Sequence, residues 1–233
     1  MSRLVLLGRF ELWRGDGRLQ PPMPAQRLLA FLALHDRGVF RSYAAGTLWA
    51  ETTDDRALGS LRSALWQLHR IDPDLVQATK HTLELAPGVG VDVREATALA
   101  RRVLDPEGEV DGAAERWFSR DLLPDWYDAW VLPARERFRE LRVRALEALS
   151  ARLTTEEKFD QAAEAALAAV EAEPLRESAN RSLIAVYLAE GNEAEAIQWY
   201  RRFCQRLRDE LGLAPSRRME ELVRGLYRPA VAR

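Results

Sequence analysis

The chain has 233 residues, 47 % of them apolar, enough for one large domain or two small ones with their own cores and too apolar for a disordered protein. A single cysteine, Cys204, excludes an intrachain disulfide, and no apolar run is long enough to span a bilayer. The N-terminal MSRLVLLGRFELW is too quickly charged for a signal peptide, so a cytoplasmic protein is expected. The net charge of −2 hides an asymmetry, +2 over residues 1–91 and −4 over 92–233, which has the sign expected of an N-terminal anion binder.

In chain order, residues 3–8 (RLVLLG) and 10–14 (FELWR) are short apolar runs rich in strand formers. Gly15-Asp16-Gly17 supplies a tight turn, and a third short strand follows at 18–20. Pro21, Pro22 and Pro24 end the sheet, and Pro24 or Ala25 suits a first helical position. Leu28, Leu29, Phe31, Leu32 and Leu34 then make an apolar helix that ends near Gly38. A second short helix is expected at about 41–49, with Tyr43, Ala44, Leu48 and Trp49 facing inward, and an acidic loop over 50–55.

The stretch 54–72, DDRALGSLRSALWQLHRID, spaces Leu58, Leu61, Leu65 and Leu68 as one buried stripe of a helix. Asp54 or Asp55 suits its N-terminal cap, and Asp72-Pro73 stops it. Arg56, Ser60, Ser63, Gln67 and Arg70 fall opposite the stripe, with Arg62 and Trp66 on its flanks and His69 expected beside the core. Residues 75–79 and 82–86 read as two strands around Lys80-His81, with His81 an exposed turn residue. Three strands, three helices and a final hairpin in about ninety residues is the order of a winged helix-turn-helix. Its third helix would enter the major groove and its hairpin would lie on the backbone or minor groove. Arginine forks match guanine edges or phosphates, and serine and glutamine reach bases or phosphates. The DNA-contact candidates are therefore Arg56, Ser60, Arg62, Ser63, Gln67 and Arg70 on the helix, Lys80 at the wing tip, and Arg41 on a phosphate. Taken singly, each of these charges is more simply explained as solvated surface.

Residues 92–104 and 110–120 read as helices broken at Pro106. The segment 122–131, LLPDWYDAWV, concentrates Trp126, Tyr127 and Trp130, which suits core or interdomain packing or a ligand site. A long helix is expected over 133–153, with Phe138, Leu141, Ala145, Leu146 and Leu149 as its apolar stripe. Beyond it, Ala162, Ala166, Ala169 and Pro174 have the spacing of the second helix of a tetratricopeptide repeat. A shift of 34 residues takes Leu153, Ala162 and Ala166 to Tyr187, Ala196 and Tyr200, with Gly191 in the turn. An ordinary helical bundle is the alternative. Two repeats are too few for an independent solenoid, so the helices at 92–149 and 216–227 should complete the stack.

LLGRFELWRGDGRL, AQRLLAFLALHDRGV, AAGTLWAE and LGSLRSALWQLHRI, in that order, resemble the actinobacterial antibiotic-regulatory-protein (SARP) family of transcriptional activators. These proteins pair an OmpR-like winged helix with a bacterial transcriptional activator domain (BTAD). DLLPDWYDAWVLPARERFRELRVRALEAL and EPLRESANRSLIAVYLAEGNEAEAIQWYRRFCQRLRDELGLAPS resemble that second domain, so the likeness covers almost the whole chain. It implies an α+β winged helix-turn-helix over 1–91 and an all-α tetratricopeptide-like domain over 92–233. It also implies a DNA-binding regulator, an activator, whose helical domain supports self-association as a homodimer or other regulatory contacts. The acidic loop with Glu51, Asp54 and Asp55 is a candidate contact for RNA polymerase, helix capping being the alternative for the two aspartates. The chain departs from the family at Phe40, where a small capping hydroxyl is usual, and at Trp66 and Gln67, where many members have a small polar residue and an arginine. Fewer cations there predict fewer phosphate contacts and a shallower salt dependence.

No glycine-rich phosphate loop, metal-spaced Cys/His cluster or nucleophile motif is present in the sequence, and the three histidines lie far apart. Neither an enzyme, a cofactor nor a metal is expected, and Cys204 reads as a small packed residue of a repeat helix. The chain starts at the winged helix, so no receiver domain is expected ahead of it. The competing reading is a helical-repeat adaptor whose winged helix has lost DNA binding and contacts protein.

Overall fold

The computed structural model describes residues 1–105, 108 and 115–226. Strands β1 (Ser2–Val5) and β2 (Glu11–Arg14) pair antiparallel and place the fully buried Leu4 opposite Leu12. Gly15, at φ +55°, turns the chain into β3 (Gly17–Leu19), a left-handed conformation that glycine adopts without steric cost. Helix α1 (Met23–Ala33) starts from an N-cap at Pro22 and carries Pro24 in its first turn, where no N–H partner is lost. Then come β4 (Val39–Phe40), α2 (Arg41–Leu48), α3 (Asp54–Ile71), β5 (Val76–Ala78), β6 (Thr82–Leu85) and β7 (Gly90–Val91). Two sheets result, in the orders β3-β2-β1-β7 and β4-β6-β5. This is a winged helix-turn-helix, with α2 and α3 as its helix pair and β5–β6 as its hairpin.

Helices α4 (Asp92–Leu104), α5 (Glu115–Phe118), α6 (Leu132–Thr155), α7 (Phe159–Ala172), α8 (Glu177–Glu190), α9 (Glu193–Leu211) and α10 (Arg217–Val223) follow. Of the helix expected over 110–120, residues 110–114 lie outside the described residues, as does residue 227 of the helix expected over 216–227. Contacts divide the chain into Met1–Ala96 with Arg120–Phe138, and Thr97–Ser119 with Arg139–Arg233. The expected boundary, in contrast, falls between 91 and 92.

The first unit is closed by residues distant in sequence. The Asp92 carboxylate is buried and accepts the backbone N–H groups of Leu6 (2.8 Å), Leu7 (2.9 Å) and Val93 (2.7 Å). Burial raises its pKa even against those three donors. Leu122 bridges Leu7, Gly8 donates to the carbonyl of Asp121 (2.7 Å), and Leu123 donates to that of Leu6 (2.9 Å). Leu123 is held at φ +43°, a conformation costly for a side chain with a Cβ, and is fully buried there. The aromatic segment packs within this unit. Trp126 stacks on Phe10 at 5.9 Å, Trp130 meets Phe31 edge-on at 5.4 Å, and Arg27 bonds Asp128. Tyr127 points to solvent. Trp130 and Asp128 also line an open cavity of about 510 Å³ with Arg27, Trp49 and Glu51.

In the second unit the repeat is visible in the backbone. Glu157 (φ +58°) and Gly191 (φ +90°) are 34 residues apart, and both are left-handed. The next residues, Lys158 and Asn192, have near-identical torsions (−89°, 64° and −84°, 61°). Lys158 N donates to Leu153 O at 2.9 Å, and Asn192 N to Tyr187 O at 2.8 Å. Buried alanines at 162, 165, 166 and 169 let α7 approach its neighbours, and Ala196 occupies the matching place in α9. Helix α10 completes the far end, where Met219 and Val223 pack with Ile184, Ala196, Phe203 and Leu207. Leu99, Ala100, Val103 and Phe118 join the core formed by α6, α7 and α8. Arg176 spans α6 by bonding Glu140 (2.7 Å) and Glu147 (3.1 Å).

Two consequences can be measured. Leu122→Ala should cost about 2–5 kcal/mol. Hydrogen exchange should quicken at the β1–β2 amides while α8 is unaffected. Glu11 is buried, accepts the Trp13 indole N–H (3.0 Å) and meets Arg9 (2.6 Å) and Arg18 (3.6 Å). The indole bond, reinforced by the two arginines and partly opposed by burial, lowers its pKa. Its contribution is therefore complete above the ordinary glutamate pKa and is lost as pH falls through the lower folded value. Glu11→Gln should flatten that acid limb in urea midpoints recorded against pH.

Candidate nucleic-acid interface

Helix α3 is capped at Thr53, not at Asp54 or Asp55, and the Thr53 side chain makes no capping hydrogen bond. The two aspartates sit in the first turn, where the helix dipole favours negative charge. Its buried seam is Ala57, Leu61, Ala64 and Leu68; Leu58 and Leu65 are only half-buried. The expected all-leucine stripe is thus displaced by about 50° at 100° per residue. Alanines fit where α3 runs close over α1 and α2, and larger side chains are pushed to the edge.

This rotation sorts the candidates. Arg56, Arg62, Ser63 and Arg70 are exposed, whereas Ser60 and Gln67 are half-buried along one edge. Gln67 Oε1 is buried without a hydrogen-bond partner, and the Ser63 hydroxyl donates back to the Gly59 carbonyl at 3.2 Å. Trp66, expected on a flank, stands opposite the seam and is 59 % exposed. Arg70 lays its guanidinium 4.8 Å from the Trp66 ring centroid. His69 is exposed and not beside the core. It lies on the outward side of a helix whose inward positions are filled by Ala64 and Leu68.

The β5–β6 turn is built on Thr79. Its hydroxyl accepts the backbone N–H groups of His81 (3.2 Å) and Thr82 (2.9 Å), and its own N–H donates to the Thr82 carbonyl (2.9 Å). Lys80 is left exposed at the tip, with His81 exposed beside it. Arg41 is clasped to this turn through its backbone N–H to the His81 carbonyl (2.9 Å) and its Nε to the Thr79 carbonyl (3.0 Å). The start of α2 is thereby fixed without a capping hydroxyl. Phe40 pairs with Thr82 in the sheet, and the wing supplies the acceptor. Arg41 and Lys80 therefore form one wing group, and Arg56, Arg62, Ser63 and Arg70 form one helix group. Among the described residues none of these five cations pairs with a carboxylate. The sequence signal for Trp66 is its spacing from Ala57, Leu61, Ala64 and Leu68, which a stripe of leucines alone conceals.

Among the described residues no cluster suited to a metal is found, and no helix is long and apolar enough to cross a membrane. Cys204 is half-buried in α9, where burial raises its thiol pKa.

The family model for the bacterial transcriptional activator domain matches residues 91–226. The regulatory protein AfsR of Streptomyces coelicolor is 28 % identical over 99 % of this chain and 25 % of its own length. AfsR of Streptomyces griseus is 27 % identical over 97 % of this chain and 24 % of its own length. The chain thus spans about a quarter of the curated relatives it matches. A solved structure of Mycobacterium tuberculosis EmbR, in complex with a low affinity phosphopeptide, shares the fold with a TM-score of 0.72 at 22 % identity, covering 96 % of this chain and 64 % of that one. With a winged helix-turn-helix ahead of an activator domain that matches its family model over more than half of the sequence, the chain belongs to the SARP-type, BTAD-containing transcriptional regulators.

Proposed function

We propose that this regulator binds double-stranded DNA sequence-specifically and activates transcription from the cytoplasm, without enzymatic activity or a cofactor. In this reading α3 enters the major groove with Arg56, Arg62, Ser63 and Arg70, and the wing brings Lys80 and Arg41 to the phosphates. Ser60 and Gln67 reach DNA only from the edge of the helix. The observation that carries the reading is the set of exposed cations Arg56, Arg62, Arg70 and Lys80, with the half-buried Arg41 beside Lys80, none of them paired with a carboxylate among the described residues. Elsewhere, arginines such as Arg27, Arg139 and Arg176 are held in ion pairs. An unpaired guanidinium keeps its fork for guanine or phosphate. The helical domain serves self-association as a homodimer, and the loop carrying Glu51, with Asp54 and Asp55 after it, is offered to RNA polymerase.

A selection from random DNA with the full chain should enrich a motif, and gel shifts on that motif should separate the two groups of contacts. Lys80→Ala should weaken binding uniformly across sequences and reduce the salt slope by about one. Arg70→Ala should cost about 1–3 kcal/mol and relax one base position. Two variants that bind like the wild type would refute this docking of α3 and the wing. The absence of any enriched motif at low salt would instead favour a helical-repeat adaptor that contacts protein.

A further inference from the structure

Helix α3 carries a feature that charge neutralisation does not require. Trp66 is 59 % exposed in mid-helix, about 180° from the seam formed by Ala57, Leu61, Ala64 and Leu68. Most of a large apolar ring is left in water there, an unfavourable arrangement for the free protein. One turn further on, Arg70 places its guanidinium 4.8 Å from the ring centroid, within cation–π range. The contact covers one face of the indole and restrains the guanidinium. The residue as a whole remains 59 % exposed with this contact in place. Among the described residues, the donors of Arg70 are not consumed by a carboxylate and the Trp66 indole N–H has no hydrogen-bond partner.

The geometry points to Trp66 and Arg70 acting as one base-reading unit: the indole packs on the C5-methyl of a thymine, while the guanidinium restrained against it forks onto O6 and N7 of a neighbouring guanine. This rests on the reading of α3 as the helix that enters the groove. The thymine methyl is the apolar group that base edges display in the major groove, and it is the fitting partner for an exposed ring at the centre of the helix face. A guanidinium whose carbon is held over an aromatic ring still has N–H donors to offer as a bidentate fork to guanine O6 and N7. Trp66 thereby fixes specificity at one position directly and at the next through Arg70. It also offsets part of the cation deficit at position 67, because it contributes through apolar contact and does not depend on counterion release.

The test is made on the motif that the full chain selects from random DNA, by replacing each thymine in turn with deoxyuridine, which removes only the methyl group. Wild-type affinity should fall about two- to fivefold at one thymine next to a guanine and stay unchanged at the others. Trp66→Ala should be weaker overall and indifferent to that same replacement, and Trp66→Phe should retain part of the sensitivity. Arg70→Lys should lose the preference for the neighbouring guanine. If wild type selects a motif but no deoxyuridine replacement weakens it, or if Trp66→Ala keeps the full sensitivity, the reading unit is refuted while DNA binding by α3 stands. If wild type selects no motif, DNA reading by α3 fails and the unit with it.

Discussion

The rotational setting of α3 depends on two alanines. Ala57 and Ala64 alternate with Leu61 and Leu68 along the seam that packs on α1 and α2, and this choice of inward residues decides which others face outward. Had Leu58 and Leu65 occupied the seam, the helix would sit about 50° away, with Ser60 and Gln67 fully outward and Trp66 at the side. Small residues win because the helix pair is close, and a leucine forced into that space would overpack it. The chemistry of the exposed face is thus set by a steric constraint on the opposite side of the helix.

Much of this architecture was legible from residues alone. The strong apolar runs, the glycine turn at 15–17, the third helix and the hairpin all appear where periodicity and turn chemistry place them. The two-residue strands β4 and β7 were not, because a strand of that length has no alternation and exists only through its partners β6 and β1. The burial of 120–138 in the first unit was also hidden. An apolar segment announces that it will be covered, but not by what. Within the site, Lys80 at the tip and the arginines of α3 follow from spacing. The role of Arg41 in clasping the wing does not, since its acceptors at Thr79 and His81 lie some forty positions away.

The helical unit shows the converse, a regularity clearer in backbone than in residue identity. Glu157 and Gly191 share a left-handed turn although only one of them is free of a Cβ penalty, on the order of 1–2 kcal/mol. The stacking of successive helix pairs imposes the turn, and residue type follows it imperfectly. That explains why alanine spacing and one glycine suffice to suggest the repeat, whereas few other positions recur.

The discontinuous first unit carries a consequence for biosynthesis. Its N-terminal section ends at Ala96, yet Leu122, Leu123, Trp126 and Trp130 complete its packing, so roughly forty further residues must leave the ribosome first. At about 5–20 residues per second the nascent winged helix waits some 2–8 s with the surface around Leu7, Phe10 and Phe31 uncovered. During that interval it exposes apolar area of the kind that chaperones bind. The winged-helix unit is thus finished by sequence that lies within the stretch matched by the activator-domain family model.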